Sequence, residues 1–225
     1  MKKILVINPN SSEKMTKDIN NTINNLRISD LEITLMNNEE APEVLESFSD
    51  YTIASFHTIK KINNAQDYDA ILLACFGDPG LFALKEISNV PIIGIGEAAF
   101  ALAQLLGYKF SIIAASSKAK PMMEQMVLSY GLDKRMASVE TLDLPIGDFL
   151  YDKELLLNKV SLKCQTAIKN GADVIIFGCA GMTMLGDEIE KKLSVTVIDP
   201  VKAGIVLLDA ILKGDFKVSK IGLYE

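Results

Sequence analysis

The strongest constraint on the fold is an internal repeat. Asp69-Ala70-Ile71-Leu72-Leu73-Ala74-Cys75-Phe76-Gly77 lines up with Asp173-Val174-Ile175-Ile176-Phe177-Gly178-Cys179-Ala180-Gly181. Each copy has an aspartate, an apolar run, a cysteine, one intervening residue and a glycine. A further apolar strand starts 15 residues after Cys75, at Val90, and 16 residues after Cys179, at Val195. Residues 3–8 and 109–114 also correspond, and both run into a pair of serines. A continuous apolar run of this length is the pattern of a strand covered on both faces, as in a parallel sheet. The repeat therefore predicts two similar halves, each built on a parallel sheet.

The rest of the pattern alternates strand and helix. Strands are predicted at 3–8, 31–36, 70–75 and 90–95, then again at 110–114, 137–142, 174–177 and 195–198. Helices are predicted between them. The first runs to Leu26 with Ser11 or Ser12 as its cap, and others cover 47–64, the segment after Pro79-Gly80 to Ile87, and 98–106. In the second half they cover 119–130, 152–170, 185–193 and 201–212. Parallel strands joined by helical crossovers give an α/β fold: two similar doubly wound lobes with parallel four-stranded sheets. With 225 residues, each lobe has roughly 100, the size of a small domain.

Composition excludes several classes of function. The chain is 49% hydrophobic and 23% charged, which is ordinary for a globular protein and not for a disordered one. Acidic residues outnumber basic ones by 29 to 23, so nothing suggests a surface built to grip nucleic acid. The apolar run Ile4-Leu5-Val6-Ile7 stops at Asn8-Pro9, too short for the core of a signal peptide. No apolar stretch approaches the roughly 18 residues that span a bilayer. These features predict a cytoplasmic protein with reduced thiols and no membrane partner. Three cysteines, Cys75, Cys164 and Cys179, do not form a disulfide framework.

The repeat sorts those cysteines. In open α/β sheets, ligands bind outside the carboxyl ends of the strands. Cys75 and Cys179 both fall there. If the halves face one another about a pseudo-two-fold axis, the two thiols meet across a crevice that is the active site between the lobes. One thiolate then removes a proton from one face of a carbon and the other thiol returns a proton to the opposite face, inverting that carbon. A single strand-end cysteine is more often a core residue. Two at equivalent positions, each with a glycine two residues on, favour function. Cys164 lies in the predicted 152–170 helix without a repeat partner and reads as packing. No zinc site is expected, because no Cys-x-x-Cys occurs and His57 is the only histidine, placed mid-helix. Gly94-Ile95-Gly96-Glu97 lacks the third glycine of a dinucleotide fingerprint and reads as turn chemistry. The backbone amides after each cysteine, Phe76-Gly77 and Ala180-Gly181, are candidates to face a developing enolate oxygen. Asn8, Asn10 and Ser11 end the first strand at the same rim. They suit either a polar substrate or a turn and helix cap.

Taken together, these residues resemble the aspartate/glutamate/hydantoin racemase superfamily, and most of all its hydantoin racemase branch. The resemblance covers essentially the whole chain. It rests on Asn8-Pro9-Asn10-Ser11-Ser12, Cys75-Phe76-Gly77-Asp78-Pro79-Gly80-Leu81, Pro91-Ile92-Ile93-Gly94-Ile95-Gly96-Glu97-Ala98-Ala99, Gly178-Cys179-Ala180-Gly181-Met182 and Ile198-Asp199-Pro200-Val201. It implies a racemase that needs no cofactor, with Cys75 and Cys179 as its two bases. It also implies a chain that crosses between lobes near Gly96 and Pro200. The first lobe would be 1–96 plus 200–225 and the second 97–199, with the last helix on the first lobe.

The chain departs from its relatives at two places. Glutamate and aspartate racemases of the superfamily follow the second cysteine with Thr-His or Thr-Glu, where this chain has Ala180-Gly181. That disfavours free acidic amino acids. Hydantoin and allantoin racemases typically carry threonines where this chain has Ala114 and Ala115, and Ser116 and Ser117 are the hydroxyls nearest in sequence. Ser116 therefore joins the substrate-binding candidates. A ring proton flanked by a carbonyl in a hydantoin-like ureide is more acidic than that of an amino acid carboxylate, which suits a thiolate base. The alternatives are a maleate-type cis–trans isomerase in which one cysteine adds covalently, an aspartate or glutamate racemase, and a non-catalytic small-molecule binding protein. The expected partner is a small-molecule substrate. A homo-oligomer is compatible with chains of this kind, although no interface signature stands out.

Overall fold

In a computed structural model, the chain is described over residues 1–26, 28–62, 67–143 and 153–224, with the side chains of 153, 180, 181 and 183 excepted. It divides into two compact units, Met1–Ala98 with Val201–Glu225, and Ala99–Pro200.

The first unit contains β1 (Lys2–Ile7), α1 (Glu13–Asn24), β2 (Leu31–Met36), α2 (Phe48–Ile62), β3 (Ala70–Leu73), α3 (Leu81–Ile87) and β4 (Ile92–Gly94). Its four strands are all parallel, in the order β2-β1-β3-β4. Next comes α4 (Ile95–Leu106), which begins in the first unit and ends in the second. The second unit contains β5 (Phe110–Ala114), α5 (Ala119–Ser129), β6 (Met136–Thr141), α6 (Lys153–Lys169), β7 (Val174–Phe177), α7 (Gly186–Leu193) and β8 (Thr196–Ile198). Its sheet is again parallel, in the order β6-β5-β7-β8. The closing helix α8 (Pro200–Lys213) groups with the first unit. No helix among the described residues is long and apolar enough to cross a membrane.

Every residue of β3 and β7 is buried, so both faces of each sheet are covered. In the first unit, Leu5, Ile7, Ile71, Leu73 and Ile92 point one way, onto Ile62 of α2 and onto Leu81 and Leu84 of α3. Leu72 points the other way, where Gly204 of α8 comes so close that a Cβ there would lie 2.3 Å from the Leu72 Cδ1. In the second unit, Ile113, Ile175 and Phe177 pack with Leu156, Val160, Cys164 and Ala167 of α6 and Ile189 of α7.

The repeated aspartates have a structural role. The Asp69 carboxylate accepts from the Lys3 amide at 2.8 Å and from Lys2 Nζ at 2.9 Å. The Asp173 carboxylate accepts from the Tyr108 and Lys109 amides, both at 2.9 Å. Each aspartate thus ties the foot of one interior strand to the start of its neighbour. The hydrogen bond and charge of Lys2 hold the Asp69 carboxyl below its ordinary pKa. Its small stabilisation is present above about pH 4 and lost as the pH falls through the depressed value.

Several predicted boundaries shift. The 70–75 strand ends at Leu73, so Cys75 stands in the bend beyond it. The helix predicted from 98 begins at Ile95. A 3-10 helix, Ala180–Leu185, precedes α7 where only the later helix was predicted. Positions 63, 64 and 152, included in predicted helices, lie outside the described residues.

Candidate active site

The two cysteine turns are built alike. Ala74, just before Cys75, donates its amide to the Ile7 carbonyl at 2.8 Å. Gly178, just before Cys179, donates to the Ile113 carbonyl at 2.9 Å. The sheet ladder therefore ends one residue short of each thiol. The chain then folds back: the Cys75 carbonyl accepts from the Asp78 amide at 2.9 Å, and the Cys179 carbonyl accepts from the Met182 amide at 3.1 Å. Both thiols are half-buried at the carboxyl end of an interior strand of their own sheet. The turns differ in how soon a helix begins. The 3-10 helix starts directly after Cys179, while α3 starts only at Leu81.

In the first unit the same rim carries Asn8, Asn10 and Ser11, because Ile7 and Leu73 are partners at the ends of β1 and β3. Asn8 is fully buried, and its Nδ2 donates to Asn10 Oδ1 at 2.9 Å, Thr16 Oγ1 at 2.9 Å and the Ser12 carbonyl at 3.4 Å. Asn10 Oδ1 also accepts from the Ser12 amide at 2.9 Å. Ser12 is the cap of α1, its side chain accepting from the Met15 amide. The side chains of Asn8 and Asn10 are thus occupied in knitting the loop between β1 and α1. The Ser11 amide donates to the Pro42 carbonyl, at 3.3 Å. The Phe76 ring is buried.

In the second unit, Phe177, the last residue of β7, pairs with Ile113, the last but one of β5, and half-buried Ser116 and Cys179 each stand two residues beyond their strand's end. Ala114 and Ala115 are buried in the core. Ala180 and Gly181 form the first turn of the 3-10 helix, and their side chains lie outside the described ones.

Spacing along the chain assigns no role to two residues that the fold brings near Cys75. Tyr51 of α2 lies against the turn: a Cβ on Gly77 would fall 2.0 Å from the Tyr51 hydroxyl oxygen. Burial, then the nearby Cys75, Asp78 and Asp50, push the Tyr51 phenol above its ordinary pKa, so it stays protonated. Asp78 is buried, and its carboxylate accepts from the Gly96 amide at 3.0 Å and the Glu97 amide at 2.7 Å. It therefore caps α4 from a distant part of the chain. The cue lay in the glycines: Gly77, Gly80 and Gly94 are positions where another element comes too close for a side chain.

Cys164 is fully buried in α6, and burial pushes its thiol up to about 12. At pH 8 its thiolate fraction is then about 10⁻⁴. Brief iodoacetamide treatment of the native protein at pH 8, read by peptide mass spectrometry, is expected to label Cys75 and Cys179 and to spare Cys164. Equal labelling of all three would mean that the two rim thiols are not distinguished. His57 sits on α2 with Nδ1 3.3 Å from Glu40. Among the described residues, no group of three or more His, Cys, Asp or Glu is arranged to hold a metal ion.

Comparison with known proteins gives a consistent picture. The chain is 34% identical to a hydantoin racemase of Pseudomonas sp. (strain NS671), over 99% of this chain and 91% of that protein. It is 31% identical to a hydantoin racemase of Paenarthrobacter aurescens, over 99% of this chain and 96% of the other. The solved allantoin racemase from Klebsiella pneumoniae superimposes with a TM-score of 0.93 at 30% identity, covering 100% of this chain and 93% of its own. The family model described as Asp/Glu/Hydantoin racemase matches residues 4–208. The chain belongs to that family, and it is a racemase.

Proposed function

We propose that the protein inverts the ring carbon next to a carbonyl in a five-membered cyclic ureide, a 5-substituted hydantoin or allantoin, without a cofactor. Cys75 and Cys179 are the acid and base. The observation that carries this reading is the equivalence of the two half-buried thiols, each one residue beyond the end of its ladder and each in a turn closed by a backbone bond to the residue three positions on.

The proton balance is simple. One thiolate takes the ring proton, leaving an enolate with its charge on the carbonyl oxygen. The other thiol gives a proton to the opposite face of the carbon. The first cysteine ends as a thiol and the second as a thiolate, and exchange with water resets the pair. A thiolate suits this carbon because the neighbouring carbonyl and ring nitrogen raise its acidity, and matched donor and acceptor pKa values favour proton transfer. Backbone amides at Phe76-Gly77 and Ala180-Gly181 are the proposed donors to the enolate oxygen. Ser11 and Ser116 are proposed to hold the polar edge of the ring. The buried Asn8 and Asn10 support the reading through the rim loop that they hold in shape. The identities to hydantoin racemases over nearly the whole chain support the substrate class.

The test is a screen of single enantiomers of 5-substituted hydantoins, allantoin, aspartate and glutamate in ²H₂O, read by chiral chromatography and mass spectrometry. The expected result is loss of optical purity for a ureide, with one deuterium incorporated in the product. Turnover of aspartate or glutamate alone, or of none of them, overturns the proposed substrate class. A stable mass adduct on one cysteine would point instead to covalent isomerase chemistry.

A further inference from the structure

The repeat is broken at one chemically meaningful position. Three residues after Cys179 stands Met182, fully buried and apolar. Three residues after Cys75 stands Asp78, which makes the same backbone turn bond but carries a carboxylate bound to two amides of α4. We propose that Asp78 is a positioning residue for the Cys75 thiol, its carboxylate clamping the Cys75–Asp78 turn onto the first turn of α4. This rests on the reading of Cys75 as one of the two bases.

The turn is closely packed around the carboxylate. Asp78 adopts φ of 45° and Gly80 φ of 76°, so the chain passes twice through the left-handed region within three residues. Aspartate tolerates that region better than most residues but still needs local bonds to hold it there. The two amides supply them. A Cβ on Gly94 would lie 2.2 Å from the Asp78 Cγ, so the end of β4 presses directly on the carboxyl group. The Tyr51 hydroxyl lies against Gly77 of the same turn. The turn thus carries a carboxylate bridge and the close approach of a phenol ring. The second turn cannot form the same bridge. The Met182 side chain has no carboxylate. A base displaced by about 1 Å can lose a factor of about 10² in rate. Thiol placement is therefore the property that the clamp controls.

The test uses Asp78→Ala and Asp78→Asn in the full chain. Two quantities are read: the kcat and KM of ureide racemisation, and the rate of iodoacetamide labelling at each cysteine separately. Asp78→Ala is expected to lower kcat by about 10²-fold with KM little changed. It should also speed labelling of Cys75 several-fold relative to Cys179, because the loosened turn exposes the thiol. Asp78→Asn keeps one acceptor oxygen for the two amides and is expected to fall between the alanine variant and the wild type in both readouts. The proposal is overturned if the ratio of Cys75 to Cys179 labelling matches the wild type in both variants, or if kcat does. If the alanine variant labels at Cys164, its core has opened, and the asparagine variant alone decides. Should the wild type racemise none of the ureides, the substrate reading fails, while the labelling ratio still tests the clamp.

Discussion

Cys75→Ser and Cys179→Ser are each expected to lower ureide racemisation by about 10³-fold or more, the upper range for losing a positioned acid or base. Serine keeps the size of the side chain and its hydrogen bonding but does not ionise near neutral pH, so the variants remove basicity and little else. The two losses are not symmetric in detail. In ²H₂O, the thiolate that remains still takes the proton from the enantiomer presented to it, then returns a deuteron to the same face. Each variant is therefore expected to exchange one enantiomer without inverting it, and the two variants are expected to prefer opposite enantiomers. Cys164→Ser is the control. It places a hydroxyl in a fully buried apolar cluster, at a cost of about 1–3 kcal/mol in stability, and leaves turnover intact at temperatures where the variant is folded. Racemisation within tenfold of the wild type by either rim variant would remove that cysteine from the mechanism.

The second large effect is on stability, at Asn8. All three partners of its Nδ2 present acceptor oxygens to it: Asn10 Oδ1, the Ser12 carbonyl and Thr16 Oγ1, whose own proton goes to the Ser12 carbonyl. The amide orientation is therefore fixed by chemistry. Asn8→Asp replaces the one donor by a fourth acceptor in a site with no exposure. Ionised, the oxygen that replaces Nδ2 faces oxygens only, and the other oxygen keeps a single long bond from the Asn10 amide, at 3.4 Å. Protonated, it satisfies one partner of three. Leaving an uncompensated charge or its orphaned partners buried costs about 3–5 kcal/mol. Such a carboxyl has a raised pKa in the folded state, so the variant is expected to lose stability as the pH rises from the ordinary carboxylate range towards neutrality. Denaturant melts at pH 4.5 and 7.5 read this directly. A variant as stable as the wild type but unable to turn over substrate would give Asn8 a role on the substrate and not in the loop.

The sequence announced the sheets more clearly than the connections. β2 and β5 start and stop where the apolar pattern does. β3 was overrun, because the apolar run continues through Ala74 to Cys75 while the strand stops at Leu73. An apolar pattern marks what is buried and not where pairing ends. The start of α4 moved to Ile95 because its cap is Asp78, seventeen residues before, and a cap supplied from another turn leaves no signal next to the helix. The cysteines were legible as a pair only through the repeat, since each alone looks like a core residue. Tyr51 and the clamp on α4 were not legible. Nothing in spacing along the chain says that a phenol from α2 comes to rest on Gly77.

The tie at the foot of each sheet has a consequence for the thiols at its top. Asp69 precedes Cys75, and Asp173 precedes Cys179, by the same six residues. At about 3.3 Å per strand residue, that is about 20 Å of nearly inextensible chain. Each carboxylate fixes one end of that length to the first amides of the adjoining strand. A slip of one residue would turn every side chain of the strand to the wrong face and carry the sulfur a full step along the sheet. The aspartate therefore works as the zero mark of a ruler, and the height at which each sulfur stands is measured from the opposite edge of the sheet.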